Sequence, residues 1–106
     1  MRSAPVAKKP APPTHRAHVF YQGRVQGVGF RHTAEGIALE IGGLTGFVKN
    51  MPDGRVEVVC EGAKDKVDSF LEGVKQSSLG KYIQKTDCRW EDPSGTFSDF
   101  TVEFHL

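Results

Sequence analysis

The stretch Gly23-Arg24-Val25-Gln26-Gly27-Val28-Gly29-Phe30-Arg31 constrains this chain more than any other. It follows a β-type run, His18-Val19-Phe20-Tyr21, and opens a segment in which Phe30, Ala34, Ile37, Ala38 and Ile41 recur at helical spacing. A strand thus hands over to a helix through a glycine-rich turn. Gly23, Gly27 and Gly29 lack a Cβ, so the backbone can take positive φ and curl until successive N–H groups face one concavity. The first amides of the helix, around Phe30 and Arg31, add unpaired donors and the positive end of the helix dipole. Such a cradle suits a phosphate-like anion, with Gln26, Gly27, Val28, Gly29, Phe30 and Arg31 as candidate binding residues. Arg31 contributes a planar guanidinium that can fork onto two oxygens of the anion and stays charged at any working pH.

The named phosphate loops do not fit. There is no G-x-x-x-x-G-K-[ST], and Gly27-x-Gly29 is not completed to G-x-G-x-x-G because the third position falls on His32. A second stretch sharpens the reading: Gly46-Phe47-Val48-Lys49-Asn50, followed by Met51-Pro52-Asp53-Gly54-Arg55-Val56-Glu57-Val58. Together the two resemble the acylphosphatase family. That family's first signature, G-x-V-Q-G-V-x-F-R, matches from Gly23 to Arg31. Its second, a glycine, an aromatic, a valine, a basic residue and an asparagine before a P-D-G turn and a further strand, matches from Gly46 to Gly62. The resemblance covers the chain from about Ala17 to the C-terminus.

Read in order, the chain gives strand, helix, strand, strand, helix, strand and a closing strand. The first helix spans about Phe30 to Ile41 and stops at Gly42-Gly43, where a left-handed cap is accessible. Leu44 to Asn50 is the second strand, Met51 to Gly54 a turn by composition, and Arg55 to Glu61 an antiparallel return with Val56, Val58 and Cys60 on one face. Ala63 to Lys75 is the second helix, its apolar stripe formed by Val67, Phe70, Leu71 and Val74. Tyr82 to Glu91 is the fourth strand, Pro93 to Gly95 a turn, and Phe97 to Phe104 the fifth strand. The β-α-β-β-α-β order is that of an α+β, ferredoxin-like split β-α-β fold with both helices on one face of a mixed, largely antiparallel sheet. The resemblance implies the same fold plus the terminal strand, with the third strand between the first and second.

The resemblance also implies the chemistry: hydrolysis of an acyl phosphate to a carboxylate and inorganic phosphate, without metal or cofactor. The family's motif-ending arginine falls on Arg31 and its motif-ending asparagine on Asn50. A carboxyl–phosphate anhydride has a good leaving group, so positioning and charge stabilisation suffice without a covalent nucleophile. In that scheme Arg31 and the loop amides hold the phosphoryl oxygens and Asn50 places the water. Departures from the family pattern, at Val102-Glu103-Phe104 and the added His105-Leu106, are expected to lie away from the site.

One hundred and six residues fit one domain, and a net charge of +1 gives no general reason to expect nucleic acid or membrane as partner. No acidic residue precedes Glu35, however, so the ligand near the loop should be anionic. Residues 1–16 carry four prolines and no apolar face, and read as a disordered leader before a domain of residues 17–106. No run approaches the roughly 20 apolar residues of a membrane span, and no apolar signal core is present. A cytoplasmic monomer is expected. The four histidines share no metal-ligand spacing with one another or with the cysteines; His32 reads as a helix-surface residue and Lys49 as a solvated strand end. In the expected strand order Cys60 and Cys88 lie about two strand spacings apart, roughly 9.6 Å, too far for a disulfide. An RNA-recognition module of the same fold would need stacking aromatics on the third strand, and Arg55 to Glu61 has none. The alternative retained is a non-catalytic module of this fold that binds phosphate or carbamoyl phosphate.

Overall fold

The computed structural model describes residues 12–104. Its elements are β1 (His15–Gly23), α1 (Phe30–Ile41), β2 (Thr45–Asn50), β3 (Val56–Gly62), α2 (Lys64–Gln76), a 3-10 turn at Gly80–Tyr82, β4 (Ile83–Glu91) and β5 (Phe100–Glu103). The sheet runs β4-β1-β3-β2-β5. Every neighbouring pair is antiparallel except β2 and β5. The expected fold class and strand order are therefore those observed.

Two apolar stripes account for the layers. Phe30, Ala34 and Ala38 are the buried face of α1, and Val67, Phe70 and Val74 that of α2. Both meet one face of the sheet, where Val19, Tyr21, Val48, Val56, Val58 and Cys60 are buried. Each large apolar side chain so buried contributes roughly 1.5–3 kcal/mol, which exceeds what propensity alone supplies to helices of 12 and 13 residues. Gly46 is required on β2 by close approach. It has φ 135°, and a Cβ there would stand 1.9 Å from the carbonyl oxygen of Val59 on the adjacent strand.

Because β4 and β5 lie at opposite edges, residues 92–99 must cross the sheet to join them. Glu61, fully buried at the end of β3, fastens this crossing. Its carboxylate accepts hydrogen bonds from the amides of Ser94 (2.8 Å) and Gly95 (3.0 Å) and from Arg16 Nε (2.7 Å). Burial raises the carboxyl's pKa, but the Ser94 and Gly95 amides and Arg16 outweigh it and leave it below the ordinary value.

The second strand, third strand and second helix shift by one residue from the sequence reading, and three further boundaries differ from it. The first strand starts at His15, so a domain boundary after residue 16 falls inside it: Thr14 N donates to Gly62 O and Arg16 pairs with Glu61. The reading of residues 1–11 as a disordered leader lies outside the described residues. The fourth strand begins at Ile83, because Tyr82 closes a 3-10 turn onto Leu79 O. The fifth strand is Phe100–Glu103 rather than Phe97 to Phe104, since the crossing segment is tied to Glu61 and only then reaches the edge of β2. Cys60 and Cys88 are both free thiols, with burial pushing the Cys60 pKa up to about 12.

Candidate active site

The two motif-ending residues come to one end of the sheet. β1, β2 and β5 run in the same direction, so the turn leaving β1, Asn50 at the end of β2 and Glu103 at the end of β5 share that end. Gly27 and Gly29 take the left-handed conformation, with φ 80° and 77°. The residues around them anchor the loop: Val25 and Phe30 are buried, and the Phe30 ring packs against Tyr21 at 5.1 Å between centroids. The first helical hydrogen bond is Thr33 N to Gly29 O, 3.0 Å. The amides of Phe30, Arg31 and His32 consequently have no acceptor within the helix. No side chain caps them, and no acidic residue stands in the first turn. The turn thus presents unpaired backbone donors and the positive end of the α1 dipole.

Asn50 stands in register with Val56, which in turn stands opposite Tyr21. Directly opposed residues of antiparallel strands project to the same face, so Asn50 faces the helices. Lys49, one residue earlier, faces the other side and lies over the Phe47 ring at 5.9 Å. It is therefore not part of the site. His32 is exposed on α1, as expected.

Gln26 joins the two motifs. Its side-chain nitrogen donates to Met51 O at 2.7 Å and to Arg55 O at 2.9 Å. Met51 follows Asn50 directly, so the loop is clamped within one residue of the candidate water-positioning side chain. The turn beneath is itself closed by Met51 N to Arg55 O (2.8 Å) and by Asp53, whose carboxylate takes the Arg55 amide at 3.1 Å and Arg55 Nε at 2.8 Å. The Arg55 backbone amide holds the Asp53 pKa below its ordinary value. Nothing local links positions 26, 51 and 55, so the loop motif by itself places Gln26 in the turn without this side-chain role.

Arg31 is held by the terminal strand. Its guanidinium lies 4.5 Å from the centroid of the Phe104 ring, and Nη1 donates to Glu103 O at 3.4 Å. The terminal residues were expected to lie away from the site. Glu103 and Phe104 meet it because β5 pairs parallel to β2 and ends beside it, a placement that local sequence does not carry, while His105 and Leu106 lie outside the described residues. A hollow of about 420 Å³ opens next to the loop, bordered by Gln22, Gly23, Asp53, Gly54 and Arg55. A larger groove, about 750 Å³, lies elsewhere, between α2 and β4.

Comparison with known proteins decides the family. The acylphosphatase family model matches residues 17–102. The chain belongs to the acylphosphatase family. Among its acylphosphatase relatives, one from Roseiflexus is 41% identical over 87 residues, spanning 82% of this chain and 92% of that protein. The crystal structure of acylphosphatase from Bacillus subtilis superposes with a TM-score of 0.77 at 32% identity, covering 85% of this chain and 99% of the other. Full-length HypF, solved in a phosphate- and nucleotide-bound form, matches over 12% of its length, with a TM-score of 0.74 and 27% identity covering 86% of this chain. The acylphosphatase fold thus occurs both as a whole small protein and as a segment of a much larger one.

Proposed function

We propose that the chain is an acylphosphatase in activity as well as in family, hydrolysing an acyl phosphate to a carboxylate and inorganic phosphate. The observation that carries this is the Gln26 clamp, which ties a loop of anion-ready amides to the residue after Asn50. The amides of the Gly27 to Arg31 turn and the Arg31 guanidinium hold the phosphoryl oxygens. For that, Arg31 turns from Glu103 O onto the bound anion, and the Phe104 ring steadies its stem. Asn50 holds a water in line with the scissile bond. The water oxygen bonds to phosphorus as the bond to the acyl oxygen breaks; the carboxylate leaves with the electron pair, and both protons of the water go to the released phosphate, as dihydrogen phosphate, which passes one to solvent according to pH. A carboxylate leaving group needs no general acid. Ordinary phosphate monoesters, whose alkoxide leaves poorly, are therefore not substrates. Inorganic phosphate shares the recognised half of the substrate and competes with it. The two free cysteines fit a reducing, cytoplasmic setting.

The likeness to a HypF segment supports a second reading, a module that binds phosphate or carbamoyl phosphate without turnover. Purified protein offered an aryl acyl phosphate, with a chelator present, distinguishes the two: steady release of phosphate is expected, and binding without release would establish the second. Three variants then assign roles. Arg31→Ala should weaken phosphate inhibition and lower kcat/KM by several kcal/mol in transition-state terms, and Arg31→Lys should not restore it, since a point charge lacks the fork. Asn50→Ala should lower kcat roughly 100-fold, about 3 kcal/mol, while phosphate inhibition stays near normal. Normal turnover by Asn50→Ala, or undiminished phosphate affinity in Arg31→Ala, would remove that residue from the scheme.

A further inference from the structure

β4 is an edge strand of nine residues in which all but Ile83 and Asp87 are exposed. Its outer side presents unpaired backbone donors and acceptors, a template for another strand. The opposite edge, β5, has four residues. Nothing among the described residues covers the outer side of β4, and its one register irregularity is at the Ile83 end, opposite Gln22 and Gly23.

The side chains along β4 alternate in a specific way. Lys85, Asp87, Arg89 and Glu91 project to the helix-free face, in register with Gln22, Phe20, His18 and Arg16. Thr86, Cys88 and Trp90 project to the helix-bearing face, opposite Tyr21, Val19 and Ala17. Antiparallel pairing of this strand with its own copy, about a dyad normal to the sheet, opposes residues of the same face. With the dyad at Cys88, Lys85 meets Glu91 and Asp87 meets Arg89, each twice. With the dyad at Asp87 the same face opposes Lys85 to Arg89 and Asp87 to itself. With the dyad at Arg89 it opposes Asp87 to Glu91 and Arg89 to itself. Dyads at Thr86 or Trp90 form the Lys85–Asp87 or the Arg89–Glu91 pair alone among these four residues. The alternating charges therefore reject the adjacent registers and select one.

The other face agrees with the same register. Trp90, 45% exposed and carrying a Lys64 ammonium 4.7 Å from its ring centroid, comes opposite Thr86 of the other copy. Thr86 and Cys88 line the groove between α2 and β4, so room exists for an incoming indole that the isolated chain leaves in water.

We propose that β4 pairs antiparallel with β4 of a second copy of this chain, in the register that sets Cys88 against Cys88, joining the two sheets into one of ten strands. In this register the two strands overlap from Lys85 to Glu91, seven residues a side, so association is concentration-dependent. Each copy keeps a whole site, and the pairing is independent of the proposed activity. It departs from the monomer expected on sequence.

Sedimentation equilibrium of the full chain over a concentration series tests it, with emission from Trp90, the chain's only tryptophan, as a second readout. The mass should rise towards twice that of the chain, with a blue shift of emission. Opposed Cα atoms about 4.5–5.5 Å apart lie within disulfide reach. Diamide, which takes up two electrons and two protons as two thiols join, should therefore give a covalent dimer through Cys88, while Cys88→Ser should lose that bond and keep the reversible dimer. Arg89→Asp sets the introduced aspartate against Asp87 of the other copy, twice, and should weaken association about tenfold or more. The double swap of Asp87→Arg with Arg89→Asp should restore it. A mass that stays monomeric at every soluble concentration overturns the proposal. So does a covalent dimer unaffected by Arg89→Asp, or failure of the swap to restore association.

Discussion

Replacing Gln26 by leucine tests whether the clamp between the two motifs sets catalytic geometry or only adds stability. The side chain's two donated bonds, 2.7 Å to Met51 O and 2.9 Å to Arg55 O, are half-buried. At about 1 kcal/mol net for each, within a factor of about two, leucine should cost about 1–3 kcal/mol. The turn keeps its own closure, Met51 N to Arg55 O and Gly54 N to Met51 O, so the loss falls on the relation between loop and Asn50. A displacement of about 1 Å costs about 100-fold in rate. We expect kcat on an aryl acyl phosphate to fall 10- to 100-fold on the same principle, with a smaller change in phosphate inhibition, because the loop amides remain. Gln26→Glu should be worse at neutral pH, since a carboxylate facing two carbonyls has nothing to donate and its charged form is disfavoured. Its folded pKa is then raised above the unfolded value. Whatever stability the protonated form supplies is present below the unfolded pKa and disappears as pH rises through the folded one, so this variant alone should gain stability on mild acidification. Urea titration gives the stability and steady-state kinetics the rate. A Gln26→Leu protein that loses 1–3 kcal/mol, the cost of the two bonds, yet keeps kcat within about twofold would refute the geometric role and leave a structural one.

Glu61→Ala should cost about 3 kcal/mol or more, at about 1 kcal/mol or more for each of three donors that lose a buried acceptor, the Ser94 and Gly95 amides and Arg16 Nε, and it frees the crossing segment. Since the Glu61 pKa is lowered from 4.5, its contribution is complete above that value and lost as pH falls through the lower folded pKa; the parent's acid-unfolding curve should be steeper below pH 4.5 than the variant's, and parallel curves would contradict this. Gly46→Ala, with φ 135° and a backbone oxygen 1.9 Å from the new Cβ, should lose more than the roughly 1–3 kcal/mol of a strained φ; an unchanged melting temperature would show that the strand adapts. Removing residues 1–11 should leave folding and turnover within about threefold, about 0.7 kcal/mol, whereas removal through residue 16 takes the Thr14 bond and the Arg16–Glu61 pair and should lower the urea midpoint; equal stability of the two truncations would count against the Glu61 lock.

Much of this protein is determined locally and was therefore legible in sequence. Glycines at 27 and 29, a strand before them and a helical stripe after them encode the loop. The P-D-G turn encodes the hairpin, and the stripes of α1 and α2 say which face each helix buries. Arg31 and Asn50 were visible because they end two contiguous motifs. What the tertiary structure decided was which separate segments meet. Gln26 reaches Met51 and Arg55 only after β3 has inserted between β1 and β2. Phe104 covers Arg31 only because β5 adds parallel to β2. Nothing local marks Glu61, whose carboxylate finds its donors only when the crossing segment brings two amides and β1 brings Arg16. Such contacts leave no periodic signal, since each joins one residue to a partner tens of positions away. Their energies are realised only once the chain entropy of closing those loops has been met by the core.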